Sequence, residues 1–401
     1  MARRTWAVGP CGWWALALLS VAPGEPIASQ SMSTIKDVQP IPRWTAPGAL
    51  SVIGNVRELR DGRVLVVDAG DRMVYLIRPV TGTTSPVGRH GSGPGEYLLP
   101  SLLLPLAAGE TGILDPPNAR ILVLSPNGTP SRVIPDRAPR PPGGRTSLEP
   151  GRVSASDTLG RVYARAQSAA VAAGGRLEVT DSAAIEWWTP GAQRRDTAGF
   201  VPVFRPPDAV VVQGLTVAGS GPPEAFPASA LWAVSADGRL AIVYPNPYRV
   251  VVSMPDGRRL HGPIIQFPRI KVTEAEKRSW REARSQPWFQ TVYPGNGRPP
   301  IIRMVAGKPQ EPRWPEFLPA ITGAQPIFDE LGRLWVARSS AANVPQLFDV
   351  FGPTGVRVGQ VRLPASTRLL GFGPSGLYAA RRDRDDLEYL QLHAMPDLPL
   401  P

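Results

Sequence analysis

The sequence is poor in cysteine, lysine and histidine. Cys11 is the only cysteine, four of the 44 basic residues are lysines, and three histidines occur in 401 residues. A chain without further cysteines has no disulfide framework, no additional thiol nucleophile and no zinc–thiolate site. The net charge is +11, but the arginines are scattered and form no dense basic cluster. This distribution argues against a nucleic-acid-binding protein.

Long hydrophobic runs are also missing. An apolar run at residues 13–22 follows Arg3 and Arg4, and small residues come next at 28–31. The run is too short to span a bilayer comfortably, and this order of features is typical of a signal peptide. We therefore expect a signal peptide over 1–30, which includes Cys11, and one exported domain over 31–401. A periplasmic or extracellular location follows; an uncleaved membrane anchor is the alternative.

Glycine and proline are abundant instead. The chain has 40 Gly and 48 Pro, together 88 of 401 residues, against a usual share of roughly 12%. This excess excludes a mostly helical protein. Disorder is excluded as well, because 42% of the residues are hydrophobic, 11 are tryptophan and only 19% are charged. A turn-rich chain with a large apolar content is typical of many short strands.

Two kinds of turn recur along the chain in the same order. The first is a glycine that leads into an apolar segment, at Gly62, Gly109, Gly160, Gly238, Gly332 and Gly376. The second contains a proline and lies further on, at Pro79, Pro126, Pro190, Pro255, Pro353 and Pro396. The two are 17 residues apart in the first, second and fourth units. Six such pairs predict six similar β-units.

Each unit holds four short apolar segments, which predicts one four-stranded antiparallel blade of a β-propeller. The six units therefore predict an all-β, six-bladed β-propeller. The sixth unit has only five residues after Pro396, too few for an outer strand, while residues 34–41 are left over before the first unit. We expect this N-terminal segment to complete the last blade and close the ring.

Several stretches resemble a known family. Residues 66–75, with Asp68 and Asp71, resemble an NHL-type repeat, and Asp115 with Asn118 repeats the pattern in the second unit. The loop GRHGSGPGEY at 88–97 and residues 314–338 resemble exported bacterial six-bladed β-propeller proteins. The resemblance covers about residues 44–395 and is weaker in units three, four and six, which lack the Asp. It implies the fold and an exported location, but no particular activity.

Propeller geometry assigns the connections to two ends of the molecule. Turns between strands one and two and between strands three and four lie at one end, which we call the turn face. Loops between strands two and three, and connections between blades, lie at the other end, the insertion face. The length variation falls on the insertion face, near residues 167–182 and 339–345, in the charged loop 381–386, and in insertions at about 197–228 and 264–318. Such one-sided insertions mark the binding face of repeat proteins.

Seven polar residues are predicted on the insertion face and are the candidate ligand-binding residues: Asp68, Asp71, Arg89, His90, Glu96, Asp115 and Asn118. They would form a polar mouth around the central channel. The favoured alternative is structural: the two unit-ending aspartates would cap their loops through Asx turns, and the glutamate would accept loop N–H groups or pair with an arginine. Asp68, Glu96 and Asp115 are weak candidates for a calcium site.

The insertion at 264–318 has the clearest helix signal. Thr273 and Glu276 form a capping box, and Pro287 ends the segment. The expected inner face of this helix consists of Ala275, Trp280 and Ala283. The aromatic residues Trp280, Trp288 and Phe289 either line a ligand groove under a lid or, as we favour, anchor the insertion to the body of the propeller.

Support for catalysis is thin. The histidines at 90, 261 and 393 fall in different units, so a His-rich zinc lyase site is not formed. The G-x-S-x-G elbow of α/β-hydrolases is absent, and the loop glycines lack the Lys-Ser/Thr of a phosphate-binding loop. The leading hypothesis is a non-enzymatic, monomeric exported propeller that binds a protein, peptide or glycan on the insertion face. A calcium-dependent hydrolase or lyase at the channel mouth and a structural envelope module are the alternatives.

Overall fold

The structure is a computed structural model that describes most of the chain from Ile35 to Leu398. The described residues are 35–39, 41–139, 151–166, 169–171, 177–179, 181–192, 194–204, 210–212, 215–217, 222–292, 300–307 and 310–398. The predicted signal peptide lies outside them. Within the described ranges, no helix is long and apolar enough to cross a membrane.

The first third of the chain forms two short N-terminal strands and two blades. The N-terminal strands are β1 (Ile35–Asp37) and β2 (Trp44–Thr45). Blade 1 contains β3 (Ile53–Glu58), β4 (Val64–Asp68), β5 (Met73–Arg78) and β6 (Thr83–Pro86). A short parallel pair follows, β7 (Arg89–His90) and β8 (Glu96–Tyr97). Blade 2 contains β9 (Leu102–Pro105), β10 (Thr111–Asp115), β11 (Arg120–Leu124) and β12 (Pro130–Pro135), with 3-10 turns at Ala107–Gly109 and Pro116–Asn118.

The middle of the chain adds two blades and two extra hairpins. Blade 3 contains β13 (Val153–Ser156), β14 (Val162–Arg165), β17 (Ser182–Trp188) and β18 (Asp196–Pro202). The hairpin of β15 (Ala169–Val171) and β16 (Leu177–Val179) lies between its second and third strands, and the hairpin of β19 (Val210–Val212) and β20 (Leu215–Val217) follows the blade. Blade 4 contains β21 (Leu231–Val234), β22 (Leu240–Pro245), β23 (Tyr248–Ser253) and β24 (Arg259–His261).

The last third begins with the long insertion between blades 4 and 5. It contains α1 (Glu274–Ser285) and the hairpin of β25 (Trp288–Val292) and β26 (Ile301–Val305). Blade 5 contains β27 (Ile327–Phe328), β28 (Leu334–Ala337), β29 (Leu347–Phe351) and β30 (Arg357–Arg362). Blade 6 contains β31 (Thr367–Gly373), β32 (Gly376–Arg382) and β33 (Glu388–His393).

The predicted six-bladed propeller of four-stranded antiparallel sheets is confirmed. All six glycines of the first turn have positive φ, and five proline turns end in a glycine with positive φ. Two constraints require glycine at position 238. Its φ is 84°, which side chains other than that of glycine rarely allow, and a Cβ would overlap the guanidinium of Arg161 from the preceding blade. The recurring turns of the sequence are thus the first connection of all six blades and the third connection of blades 1 to 5, whereas Pro396 follows β33, the last described strand.

The core lies between the blades, because alternate residues of each strand face opposite neighbours. In the fully buried strand β4, Val64 and Val66 pack toward Tyr378 of blade 6, whereas Leu65 and Val67 pack toward blade 2. A hydrophobic cluster of this kind occupies each of the six junctions between neighbouring blades. A strand buried on both sides explains the continuous apolar segments seen in the sequence.

An N-terminal strand closes the last blade, as predicted, but it is a different segment. β2 pairs antiparallel with β33 as the fourth strand of blade 6. Residues 34–41 were expected in that place; instead β1 adds in parallel to β30 as a fifth strand of blade 5. Pro40 and Pro42 separate the two strands. Because proline has no N–H to donate, one continuous ladder through 40–42 is unfavourable.

The first strand of each blade is innermost. Around the centre, β31, β3, β9, β13, β21 and β27 contact one another in this order. Each of these strands runs from the insertion face to the turn face, so its first residues lie at the insertion-face end of the channel. The insertion predicted to start near 197 begins later, because residues up to Pro202 belong to β18, the outer strand of blade 3.

Candidate functional site

Asp68 ends β4 on the insertion face and is fully buried. Its Oδ1 accepts hydrogen bonds from the backbone N–H of Val52, Gly70 and Asp71 at 3.0–3.2 Å, and its Oδ2 accepts one from Ser51 N–H at 2.8 Å. Four donors satisfy a buried carboxylate that would otherwise be costly. Asp68 therefore ties its own loop to the segment that enters β3. Asp71 is exposed and accepts a hydrogen bond from the hydroxyl of Ser51.

Asp115 has the same place in blade 2 and is also fully buried. Its Oδ1 accepts the backbone N–H of Leu98 and Leu99, both at 3.1 Å. The amide of Asn118 donates to its Oδ2 at 2.6 Å and also to the carbonyl of Gly91 at 3.2 Å. Both predicted residues thus hold the blade 2 loop against the segment that enters this blade.

Glu96 organises the glycine-rich loop. Its carboxylate accepts the N–H of Gly93 and pairs with the Nε of Arg89 at 2.7 Å. The Gly93 N–H, followed by the Arg89 guanidinium, holds the pKa of this carboxyl below its usual range. A Cβ on Gly91 would overlap the carboxylate, which explains the glycine there. Arg89 and His90 themselves are exposed.

The seven predicted residues therefore lie on the insertion face. The carboxylate oxygens of Asp68, Glu96 and Asp115, however, accept hydrogen bonds from groups of the surrounding loops. In the described part of the chain, no three of His, Cys, Asp and Glu lie close enough to share a metal ion. A calcium site built from Asp68, Glu96 and Asp115 is not formed by these residues. The carboxylate oxygens of Asp68 and Asp115 are already occupied by backbone N–H groups and the Asn118 amide.

The long insertion reaches across the ring. Phe289 of β25 lies under the guanidinium of Arg72, with 5.4 Å between Cζ and the ring centre. Arg72 belongs to the loop between β4 and β5 of blade 1, whereas the insertion leaves blade 4 and enters blade 5. In a ring of six blades these positions are almost opposite each other. The hairpin β25–β26 consequently extends over the insertion-face end of the channel.

This hairpin exposes large apolar side chains. Trp288 is 53% exposed, Ile301 44% and Met304 71%. Among the described strands, β25 and β26 pair only with each other, so the outer edge of each lacks a ladder partner. The register places Trp288 and Ile301 on one face of the hairpin and Met304, beside Phe289, on the other. Scattered exposed apolar residues are ordinary in proteins, but a two-stranded sheet with open edges and apolar side chains exposed on both faces is a typical interaction element.

Helix α1 fixes the insertion to blade 5. The predicted capping box is present: Thr273 caps the helix, and the Glu276 carboxylate accepts the Thr273 N–H at 2.9 Å. Glu276 also accepts the N–H of Ala342 in the blade 5 loop at 3.0 Å. The Ala342 N–H first, and then the Thr273 hydroxyl, lower the pKa of Glu276 to about 2. This buried carboxylate, rather than an apolar contact, joins the helix to the blade.

The expected inner face of α1 is wrong in part. Ala275 and Ala283 are exposed, while Glu276 is buried and Trp280 half-buried. Trp280 donates its Nε1–H to the carbonyl of Ala225 at 2.7 Å and packs on Trp314 with 5.4 Å between ring centres. The helix is short and polar. The indole of Trp280 and the carboxylate of Glu276 make the contacts that an apolar stripe makes in a core helix.

The two large insertions are joined into one layer. The backbones of residues 223–225 and Arg313 exchange hydrogen bonds of 2.8 and 3.0 Å, and Phe226 packs on Trp314 with 6.1 Å between ring centres. The guanidinium of Arg281 lies over the ring of Trp314, with 5.2 Å between Cζ and the ring centre. The anchoring role proposed for the insertion aromatics is thus seen for Trp280, whereas Trp288 faces solvent.

The charge of this layer could be read from the sequence, but its position could not. Residues 264–318 contain ten basic and five acidic side chains. The contact that brings the hairpin over the channel joins residues more than 200 positions apart in the chain. No local sequence pattern predicts such a long-range contact.

No known protein-family model and no curated relative matches the chain. Among solved structures, a DUF4221 family member from Bacteroides vulgatus is similar at 9% identity and a TM-score of 0.44, over 92% of this chain and 98% of that one. The calcium-binding protein regucalcin from Agrobacterium tumefaciens is similar at 11% and 0.38, over 92% and 100%. Virginiamycin B lyase from Staphylococcus aureus is similar at 11% and 0.39, over 85% and 95%. Likeness at this level carries no argument about function.

Proposed function

We propose that this chain is an exported binding protein whose insertion face takes an extended, acidic polypeptide segment along the hairpin β25–β26. The observation that carries the proposal is the exposure of Trp288, Ile301 and Met304 on a two-stranded sheet that lies over the channel mouth. The signal-peptide pattern of residues 1–30 supports export.

The open edges of the hairpin favour an extended ligand. A strand without a neighbour presents unpaired N–H and C=O groups, and a peptide that adds to such an edge gains main-chain hydrogen bonds. Natural sheets protect long edges with charged side chains or proline. Here Ile301 and Met304, three residues apart, are exposed on opposite faces of β26. An added segment could therefore also bury apolar side chains on each face of the hairpin.

The charge of the insertion favours an acidic partner. Ten basic residues against five acidic ones in 264–318 give this layer a positive excess. Complementary charge speeds encounter and selects among partners more than it adds affinity. A neutral glycan that stacks on Trp288 is the competing occupant, and it would not require the strand edge or the positive charge.

A peptide library displayed on phage tests the proposal with the purified 31–401 chain as the target. We expect enrichment of segments with apolar residues at alternate positions next to Asp or Glu. Trp288→Ser and Met304→Ser should each weaken a selected peptide at least about tenfold in fluorescence anisotropy, which corresponds to about 1.4 kcal/mol.

Matched controls lie on the turn face, where Val80 and Leu331 are also exposed apolar residues. Val80→Ser and Leu331→Ser should leave the dissociation constant unchanged. No enrichment over an unrelated propeller, or equal binding by the Trp288→Ser and Met304→Ser variants, contradicts the proposal. Binding of neutral oligosaccharides that is lost in Trp288→Ser, with no peptide binding, would assign the face to glycans instead.

No described cluster favours the alternative of a metal-dependent hydrolase or lyase. Asp68 and Asp115, the acidic residues that were candidates for it, are buried and hydrogen-bonded within their loops.

A further inference from the structure

Arg72 occupies a loop position that does not need an arginine. It lies between β4 and β5 with a φ of 56°, in the left-handed region that residues other than glycine rarely adopt. Ala119 follows Asp115 by four positions, as Arg72 follows Asp68, and has a φ of 50°. The same backbone conformation thus forms around a methyl group in blade 2, so the loop itself gives no reason for a guanidinium in blade 1.

The side chain of Arg72 lies against the hairpin β25–β26. Its Cζ is 5.4 Å from the centre of the Phe289 ring. Phe289 pairs with Met304 in the register, so both side chains project from one face of the hairpin, together with Thr291 and Ile302. We call this the Met304 face. Arg72 therefore places a positive charge on the face that exposes Met304.

The N–H groups of Arg72 lack an acceptor within the described ranges of the chain, where its contact is the ring of Phe289. The two nearest carboxylates in the sequence are directed elsewhere. Asp68 accepts four backbone N–H groups, and Asp71 accepts the hydroxyl of Ser51 at 2.7 Å. Because Arg72 is half-buried, its donors are partly withheld from water, and a carboxylate from a ligand would satisfy them.

Two arginines of the insertion are less suited to bind such a carboxylate. Arg281 is already paired with Glu311 at 2.8 Å. Arg303 pairs with Gln290 in the register and lies on the opposite face, where its side chain is exposed. Arg72 is held against a ring in a stiff loop, so it loses less conformational freedom on binding than a free surface arginine does.

We propose that Arg72 selects for an acidic ligand: its guanidinium binds a carboxylate of the extended segment while an apolar side chain of that segment packs on Met304. This inference rests on the proposed function and adds the residue and the face that recognise the charge. A guanidinium matches a carboxylate in shape and can donate two parallel hydrogen bonds to it.

The geometry also restricts the spacing of residues in the ligand. In an extended segment, side chains that face the same way are separated by an even number of positions. Arg72 and Met304 lie on one face of the hairpin. The acidic residue should therefore be two positions from the apolar residue that packs on Met304 in the shortest arrangement. The residue between them faces the side of Trp288 and Ile301.

A double-mutant cycle tests this inference with a peptide selected on the 31–401 chain. Each acidic residue of the peptide is replaced in turn by its amide, and both forms are titrated against the native chain and Arg72→Gln by fluorescence anisotropy. Arg72→Gln should weaken the acidic peptide at least about tenfold and the matching amide peptide less than about twofold. A role that only holds the hairpin in place would weaken both peptides equally.

Two other arginines serve as controls. Arg78 is exposed at the other end of β5, and Arg78→Gln should leave the affinity for both peptides unchanged. Arg303→Gln on the opposite face should change the affinity for both peptides by the same factor. Ala119 in the equivalent loop shows that the fold does not need a guanidinium there, so Arg72→Gln should keep the native thermal midpoint.

Equal weakening of both peptides by Arg72→Gln, or no weakening, overturns the inference. The proposed function would then still stand if Trp288→Ser and Met304→Ser weaken the same peptide. Coupling of the acidic residue to Arg303 instead would place the carboxylate on the opposite face and also overturn the assignment. If no peptide is enriched, the proposed function fails and this inference fails with it.

Discussion

The guanidinium of Arg72 and the ring of Phe289 lie 5.4 Å apart and join blade 1 to the insertion between blades 4 and 5. Cation–π contacts of this kind contribute about 0.5–1 kcal/mol at exposed sites. The contact is small, but it joins the hairpin β25–β26 to a loop almost opposite in the ring and so helps to hold the proposed binding surface over the channel.

Phe289→Ala should loosen this hairpin without weakening the propeller. Loss of about 0.5–1 kcal/mol corresponds to roughly twofold to fivefold faster amide exchange in β25 and β26. The blade cores do not include Phe289, so the thermal midpoint should stay the same. Hydrogen–deuterium exchange with mass spectrometry measures both, with Val80→Ala on the turn face as the control. Unchanged exchange in the hairpin would contradict the contact.

The two N-terminal strands should contribute unequally to stability. A chain that starts at residue 42 loses β1, an edge strand of blade 5, together with the hydrogen bond between His393 Nδ1 and the carbonyl of Gln39. The deletion also removes the buried side chain of Val38 and its hydrogen bond to Arg362, so we expect a loss of about 2–3 kcal/mol. A chain that starts at residue 47 also loses β2 and opens blade 6, which should cost about 3 kcal/mol more. Urea unfolding measures the difference; equal losses would contradict closure by β2.

The buried carboxylate of Asp349 should be the most sensitive polar group between blades 4 and 5. It accepts from the Tyr248 hydroxyl at 2.7 Å, from Arg338 at 3.0 Å and from Gln360 at 2.8 Å, and it is fully buried. Asp349→Asn leaves Arg338 buried without its counter-charge and should cost about 3–5 kcal/mol. Tyr248→Phe removes one hydrogen bond and should cost about 1–3 kcal/mol.

Urea unfolding also provides the comparison for this pair. The exposed carboxylate of Asp256 pairs with Arg258 on the surface, and Asp256→Asn should cost at most about 0.5 kcal/mol. A loss for Asp349→Asn as small as that for Asp256→Asn would show that the buried network does not hold the two blades together.

Acid should release α1 from blade 5 before the propeller unfolds. The hydrogen bonds of Glu276 lower its folded-state pKa from the ordinary value of 4.5 to about 2. A carboxyl with a lowered pKa stabilises the fold above its unfolded pKa and loses this contribution as the pH falls toward the folded value. Amide exchange in 274–285, corrected for its intrinsic pH dependence, should therefore increase from about pH 4.5 to about pH 2. Glu276→Gln should remove this pH dependence of amide exchange. If the variant and the native chain show the same pH profile, the assignment to Glu276 is contradicted.

Much of the fold could be predicted because its signals are local. A glycine with positive φ, such as Gly62 or Gly238, marks a tight turn wherever it occurs, and the repeat of these turns predicts the blades. The capping box at Thr273 is local in the same way. The closing segment was misplaced because β1 and β2 are both short and their partners, β30 and β33, lie more than 300 residues away in the chain.

For the candidate site residues, too, the local sequence pattern predicts the position but not the hydrogen-bond partners. Their sequence pattern predicted Asp68 and Asp115 on the insertion face, where they end β4 and β10, and the structure shows that their oxygens accept backbone N–H groups.

The sequence by itself determined the repeat, the turns and the alternation of buried residues, because each depends on backbone preferences and on neighbours a few positions away. Only the tertiary structure decided which polar groups meet, because closing the ring brings blade 1 next to blade 6 and across from blade 5. The contact of Arg72 with Phe289 arises from that closure.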